Sequence, residues 1–242
     1  MGIEFTNGFS ITKNNNSTPA PVSGLQFYLQ TAPSSGTTWT DVSGNGRNAT
    51  LYGSTSYVSN NGGGIKLLNS SFGGDAYISV PYNIGSNTST IEIVASFNTT
   101  SHWATIWGNE AYSFSKGYFA YMGTSTSMIW GSPTSNTTNV TITASNAIRH
   151  WIFVINGTSK ILYLNGSQFA TATTNDPTGG YATSEFLFGA RHTNVGMGAT
   201  DKLNSSISAN QPVFYQMRVY NKALSPSEVT TNFNEIKSTY GL

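Results

Sequence analysis

Apolar residues recur at alternate positions along this chain, in short runs broken by glycine, asparagine and proline. Residues 90–97 show the pattern most cleanly: Ile91, Ile93, Ala95 and Phe97 share one face of a period-two ribbon. Residues 25–29 read as a first strand. Residues 149–155 are apolar on both faces, as a central strand should be. Asn156-Gly157 closes that run as a tight reversal, residues 160–164 follow, and Asn165-Gly166 turns the chain again into 167–171. Asn-Gly turns between apolar runs predict an antiparallel meander. Residues 185–189 and 213–220 are the last strands, with Pro212 at a strand start where its missing N–H is tolerated. The Ser/Thr/Asn-rich stretch around Pro133, residues 124–146, reads as a long exposed loop.

Helical periodicity is confined to the C-terminus. Ser225, Pro226 and Glu228 form a capping box with proline at the first helical position. Val229, Phe233, Ile236 and Tyr240 then fall on one stripe, and Gly241 supplies a left-handed stop. The pattern as a whole predicts an all-β, two-sheet antiparallel sandwich over residues 24–242 with one short helix packed on it.

Residues 1–23 read as an arm and linker. Ile3, Phe5, Phe9 and Ile11 are the arm's apolar positions, and the prolines at 19 and 21 keep the linker extended. Two readings stay open for 1–12: an attachment arm for a partner, or an edge strand of the same sandwich.

Composition narrows the function. Charged residues make up 9% of the chain, against about 25% in an average domain. The net charge of +1 supplies no basic stripe for nucleic acid. Aromatic residues at 13% argue for a packed core rather than disorder. Cysteine is absent, so there are neither disulfides nor thiolate metal sites. Nothing approaches the ~18–20 apolar residues of a membrane span, and residues 1–6 lack the pattern of a signal peptide.

Several stretches resemble a known family. Trp39, Asp41, Ser43, Gly44, Asn45 and Gly46 resemble the W-x-D-L-S-G-N-G opening of laminin-G-like and concanavalin A-like domains. Residues 63–80, 91–97, 150–166 and 217–225 resemble later motifs of that family, in family order. The resemblance implies a jelly-roll sandwich. The version with Gly36-Thr37-Thr38-Trp39 and a short arm looks most like domains of bacteriophage and large-virus structural proteins, which implies a virion-surface location. Tyr215-Gln216 stand where the family often has an acidic pair, and Asp75 alone remains of another acidic stretch. Both departures tell against a family-type calcium site.

Glucanases of this fold use paired carboxylates on one strand, in an E-x-D-x-x-E arrangement. No glutamate here is followed two residues later by aspartate, and the expectation is no enzyme activity. Asp41, Ser43 and Asn45 place oxygen side chains at alternate positions, a spacing that suits calcium. The same spacing suits an Asx-type turn bonded to its own backbone. No cofactor is required by either reading.

Sugar recognition uses aromatic faces together with amides and hydroxyls. The densest aromatic stretch offers Trp103, Asn109, Tyr112 and Trp130 as glycan contacts, with Arg191 and Asn194 on an adjoining rim. These readings converge on a non-catalytic virion-surface protein, either a capsid decoration, a head fibre or a tail-associated adhesin. Its arm would hold capsid or tail proteins and its sandwich a cell-surface glycan, without membrane insertion; a homo-oligomer is compatible with this. The alternatives are an assembly protein that binds no sugar, and a secreted carbohydrate-binding or hydrolase domain.

Overall fold

The computed structural model describes residues 22–68, 76–97, 104–111, 116–132, 136–143, 145–175, 185–192, 202–203 and 211–242. Chain order runs β1 (Leu25–Leu29), β2 (Thr38–Trp39), β3 (Ala49–Tyr52), β4 (Thr55–Val58), β5 (Gly64–Leu67), β6 (Tyr77–Val80) and β7 (Thr88–Phe97). It continues with β8 (Ala104–Ala111), β9 (Lys116–Thr124), β10 (Ser127–Ser132), β11 (Asn136–Thr141), β12 (Ser145–Asn156), β13 (Ser159–Leu164) and β14 (Ser167–Thr173). β15 (Phe186–Phe188), β16 (Arg191–His192), β17 (Lys202–Leu203), β18 (Val213–Tyr220) and α1 (Pro226–Tyr240) complete it.

The strands form two antiparallel sheets. The first is ordered β14-β13-β12-β7-β18-β5-β4, with β1 also paired to β18. The second is ordered β11-β10-β9-β8-β15-β6-β3-β2. β16 and β17 pair separately.

Alternation explains the layers. Ile91, Ile93, Ala95 and Phe97 of β7 face the space between the sheets, joined by Trp151, Phe153 and Ile155 of β12. From the second sheet Trp107, Trp130 and Phe186 meet them. Phe153 lies edge-on to Trp107 and Trp130, with centroids 5.5 and 5.4 Å apart. The expected meander is present as β12, β13 and β14. Asn165 and Gly166 form its second turn at φ 49 and 76, between the paired residues Leu164 and Ser167. At the first turn the positive φ falls on Gly157, because Asn156 still pairs with Ser159.

One expectation is corrected. Much of the stretch read as a loop at 124–146 is the hairpin of β10 and β11. Met128, Trp130 and Val140 are buried at alternate positions, and threonine fits a pleated edge strand well. The polar composition had masked a period of two.

The helix packs on the outer face of the first sheet. Ser225 caps it, the reciprocal bonds with Glu228 close the capping box, and Gly241 ends it at φ 68. Its apolar stripe covers Ile152, Val154 and Tyr220 at one end and Val94 and Tyr215 at the other. The buried set is Val229, Asn232, Ile236 and Tyr240. Phe233, expected on the stripe, is half-buried and stacks on His150 at 5.8 Å. Among the described residues no helix is long and apolar enough to cross a membrane.

Candidate functional site

The loop after β2 is organised by a single carboxylate. Asp41 Oδ1 accepts from the Tyr28 and Ser43 N–H groups, each at 2.9 Å. Its Oδ2 accepts from the Ser43 hydroxyl and the Arg47 N–H, again at 2.9 Å. Asp41's own N–H donates to Asn48 Oδ1 at 2.9 Å. Burial alone would push the Asp41 carboxyl up, but these donors outweigh it and hold the group below the usual carboxylate range.

That geometry does not fit a cation, and the calcium reading of Asp41, Ser43 and Asn45 is corrected to the Asx-type turn. Each Asp41 oxygen already takes two hydrogen bonds. Asn45 turns its amide N–H, a donor, toward the Leu25 and Gln26 carbonyls at 3.1 and 3.0 Å and toward Ser43 Oγ. A hard cation needs converging oxygens. Among the described residues no group of three His, Cys, Asp or Glu side chains gathers anywhere.

The turn delivers Arg47 and Asn48 to the rim of a cleft of about 650 Å³. Thr50 and Tyr52 from β3 and Ser79 from β6 contribute to it, as do Pro81, Tyr82 and Asn83, which follow β6, and Glu185, which precedes β15. Strand alternation brings Thr50 and Tyr52 to the same face, since Ala49 and Leu51 point into the core. Tyr52 is 39% exposed, and its ring stacks on that of Tyr77 with centroids 4.7 Å apart. Arg47 lies over the Tyr82 ring, 4.8 Å from its centroid, and its Nη1 donates to the carbonyl and side-chain oxygens of Gln26 at 2.7 and 2.9 Å. The Ser79 hydroxyl donates to the Glu185 carboxylate. Burial raises the Tyr82 phenol, with the Arg47 charge opposing it. Ring faces, amides, a guanidinium and a carboxylate thus share one concavity, a set that can donate and accept around a polyhydroxylated molecule.

The residues proposed from sequence fall elsewhere. Trp130 is 2% exposed and Asn109 fully buried, so both leave the list of glycan contacts. Trp130 faces the core because β10 alternates that way. Asn109 ties loops together: its Oδ1 accepts from the Ile84 N–H at 2.9 Å and its Nδ2 donates to the Glu185 carbonyl at 3.3 Å. Arg191 begins β16, where its backbone pairs with Leu203. Trp103, Tyr112 and Asn194 lie outside the described residues, as do Ile3, Phe5, Phe9 and Ile11 of the arm. The cleft residues were missed because Tyr52, Tyr82 and Asn83 belong to no dense aromatic run. The usable signal was the turn motif, which ends at Arg47 and Asn48.

Beneath the helix lies a second polar cluster. Glu92 is 1% exposed. It accepts from His150 Nε2–H at 3.0 Å and from Asn232 Nδ2–H at 2.7 Å, with Arg218 Nη1 at 3.5 Å. Arg218 Nη2 donates to Glu235 at 2.8 Å and to the Tyr28 hydroxyl at 2.7 Å. Burial would raise the Glu92 carboxyl; Arg218 and His150 outweigh it and lower it. Glu92 and Glu235 thus share one guanidinium, sealed between helix and sheet. Among the described residues Glu185 is the one carboxylate lining the cleft.

Comparison with known proteins agrees with this architecture. A family profile described as the concanavalin A-like lectin/glucanases superfamily matches residues 72–230. No curated protein matches the chain significantly. Among solved structures, one of botulinum neurotoxin type C, concerned with cell entry through two ganglioside molecules, aligns at a TM-score of 0.66 and 13% identity, over 88% of this chain and 51% of that one. The binding domain of botulinum neurotoxin DC in complex with rat synaptotagmin II aligns at 0.65 and 13% identity, over 88% and 52%. The binding domain of Paraclostridial Mosquitocidal Protein 1 aligns at 0.63 and 19% identity, over 87% and 52%. At these identities the likeness is one of fold, and the chain spans about half the length of the structures it matches.

Proposed function

The chain belongs to the concanavalin A-like lectin/glucanases superfamily, and from that premise we propose that it is a non-catalytic recognition module whose cleft binds a cell-surface glycan. The observation that carries the reading is the cleft itself, where the tyrosine faces of 52 and 82 stand beside Arg47, Asn48, Asn83 and Glu185. Flat apolar rings take the C–H face of a sugar, while amides and charged groups take its hydroxyls. The non-catalytic part rests on carboxylate placement. Glycoside hydrolysis works with two acids flanking the scissile bond, whereas Glu92 is closed off under α1 and Glu185 lines the cleft without a second acid among the described residues. Proteins of the same fold described as bound to gangliosides or to synaptotagmin lend the recognition reading further support.

In the same reading, residues 1–23 attach the domain to capsid or tail proteins of a virion and the sandwich faces outward. Support comes from the apolar spacing of Ile3, Phe5, Phe9 and Ile11 and from the prolines at 19 and 21 that follow them. A glycan array probed with the chain tests the function. Retention of defined glycans, weakened at least about tenfold by Tyr82→Ala in a protein that still melts cooperatively, is the expected result; tenfold corresponds to about 1.4 kcal/mol. A blank array removes the glycan reading.

A further inference from the structure

We propose that the cleft selects a carboxylate-bearing glycan and that Arg47 is the residue that grips the carboxylate, an inference that rests on reading the cleft as a glycan site. Arg47 is half-buried and held from three sides. Asp41 Oδ2 fixes its backbone N–H at 2.9 Å. Gln26 takes both bonds of its Nη1. Its Cζ lies over the Tyr82 ring, 4.8 Å from the centroid. Yet among the described residues no carboxylate stands within 4 Å of its guanidinium.

A cation drawn partly out of water normally acquires a counter-charge. Arg218, buried between helix and sheet, has two. Arg47 has none, and its Nη2 and Nε donors are not spent on the groups that hold Nη1. Those N–H groups form the edge of a planar fork that matches a carboxylate with two parallel bonds. Because the side chain is already immobilised within the protein, the ordering cost of binding is reduced.

The rest of the cleft argues against a polyanion. Glu185 brings a carboxylate of its own, partnered by the Ser79 hydroxyl, which suits sugar hydroxyls and repels a densely sulfated chain. A sugar acid meets both demands, with one negative group for Arg47 and hydroxyls for Asn83 and Glu185. Sialate and uronate share this chemistry.

The test is a glycan array with the full chain, holding neutral, sialate-terminated, uronate-terminated and sulfated members built on common cores. Titrations of the best binders in low and high salt follow. Tighter retention of sialate or uronate members than of their neutral counterparts, by about tenfold or more, is expected, and whichever of the two binds names the source. Arg47→Lys keeps the charge and loses the fork. It should weaken acidic-glycan binding at least about tenfold more than neutral-glycan binding, in a protein that still melts cooperatively. Neutral or sulfated members binding best, or an acidic preference that survives Arg47→Lys, overturns this inference and leaves the glycan site standing. An array blank across all classes overturns the glycan site itself.

Discussion

Asp41 accepts hydrogen bonds at both carboxylate oxygens and through them joins β1, its own turn and the backbone of Arg47. Asparagine at this position would present an N–H where Ser43 and Arg47 also donate. Asp41→Asn should therefore cost about 2 kcal/mol, the scale of a buried donor left unpaired, measured by chemical denaturation at neutral pH. The pH dependence has a definite sign. A carboxyl whose folded pKa lies below its unfolded value, ~3.9 for aspartate, contributes its full stabilisation above the unfolded value. That contribution is lost as pH falls through the lower folded one. The wild-type advantage over Asp41→Asn should thus be complete at pH 6 and shrink below about pH 4. An advantage that persisted undiminished at pH 2 would contradict the lowered pKa.

Turns and caps carry the next level. Gly166 holds φ 76 in the hairpin between β13 and β14, and a Cβ there would meet the ring of Phe233 on α1. One residue thus sets both the strand reversal and the seat of the helix. Gly166→Ala combines backbone strain with that clash, and a loss of about 1–3 kcal/mol is expected, read as a lowered thermal midpoint. Gly157→Ala is the control. It carries a positive φ with open space around its Cβ position, so it should lose less. Equal losses would show that the helix contact contributes nothing. At this scale the meander of β12, β13 and β14 and the capping box were legible because their signals are local. The hairpin of β10 and β11 was not, since threonine and asparagine serve exposed strands and loops alike.

Across the whole molecule, Arg218 joins elements distant in sequence. From β18 it reaches Glu92 on β7, Glu235 on α1 and Tyr28 on β1. Removing it leaves Glu92 buried without its cation, a loss of about 3–5 kcal/mol. Arg218→Met should therefore unfold at markedly lower urea. The double variant Glu92→Met with Arg218→Met should recover part of that loss, because a buried pair exchanged for apolar groups is often near neutral. A double variant no more stable than Arg218→Met would show that the cost lies in the contacts to Tyr28 and Glu235 instead. His150 belongs to the same cluster, and no local pattern around it in the sequence names Glu92 as its partner.

Sequence by itself determined the two-layer β architecture, the meander and the C-terminal helix with its caps. Periodicity, turn chemistry and capping act over a few residues and are written in consecutive positions. It also marked the loop around Asp41, while leaving two meanings open: oxygen spacing alone does not say whether metal or backbone donors will fill it. Tertiary structure decided that point by bringing the Tyr28 and Arg47 N–H groups to the carboxylate. It likewise sent Trp130 and Asn109 inward and gathered Arg47, Tyr52, Tyr82 and Glu185 around one cleft. Those residues come from separate strands and loops, and their meeting depends on sheet order and pleat, which no short stretch of chain encodes.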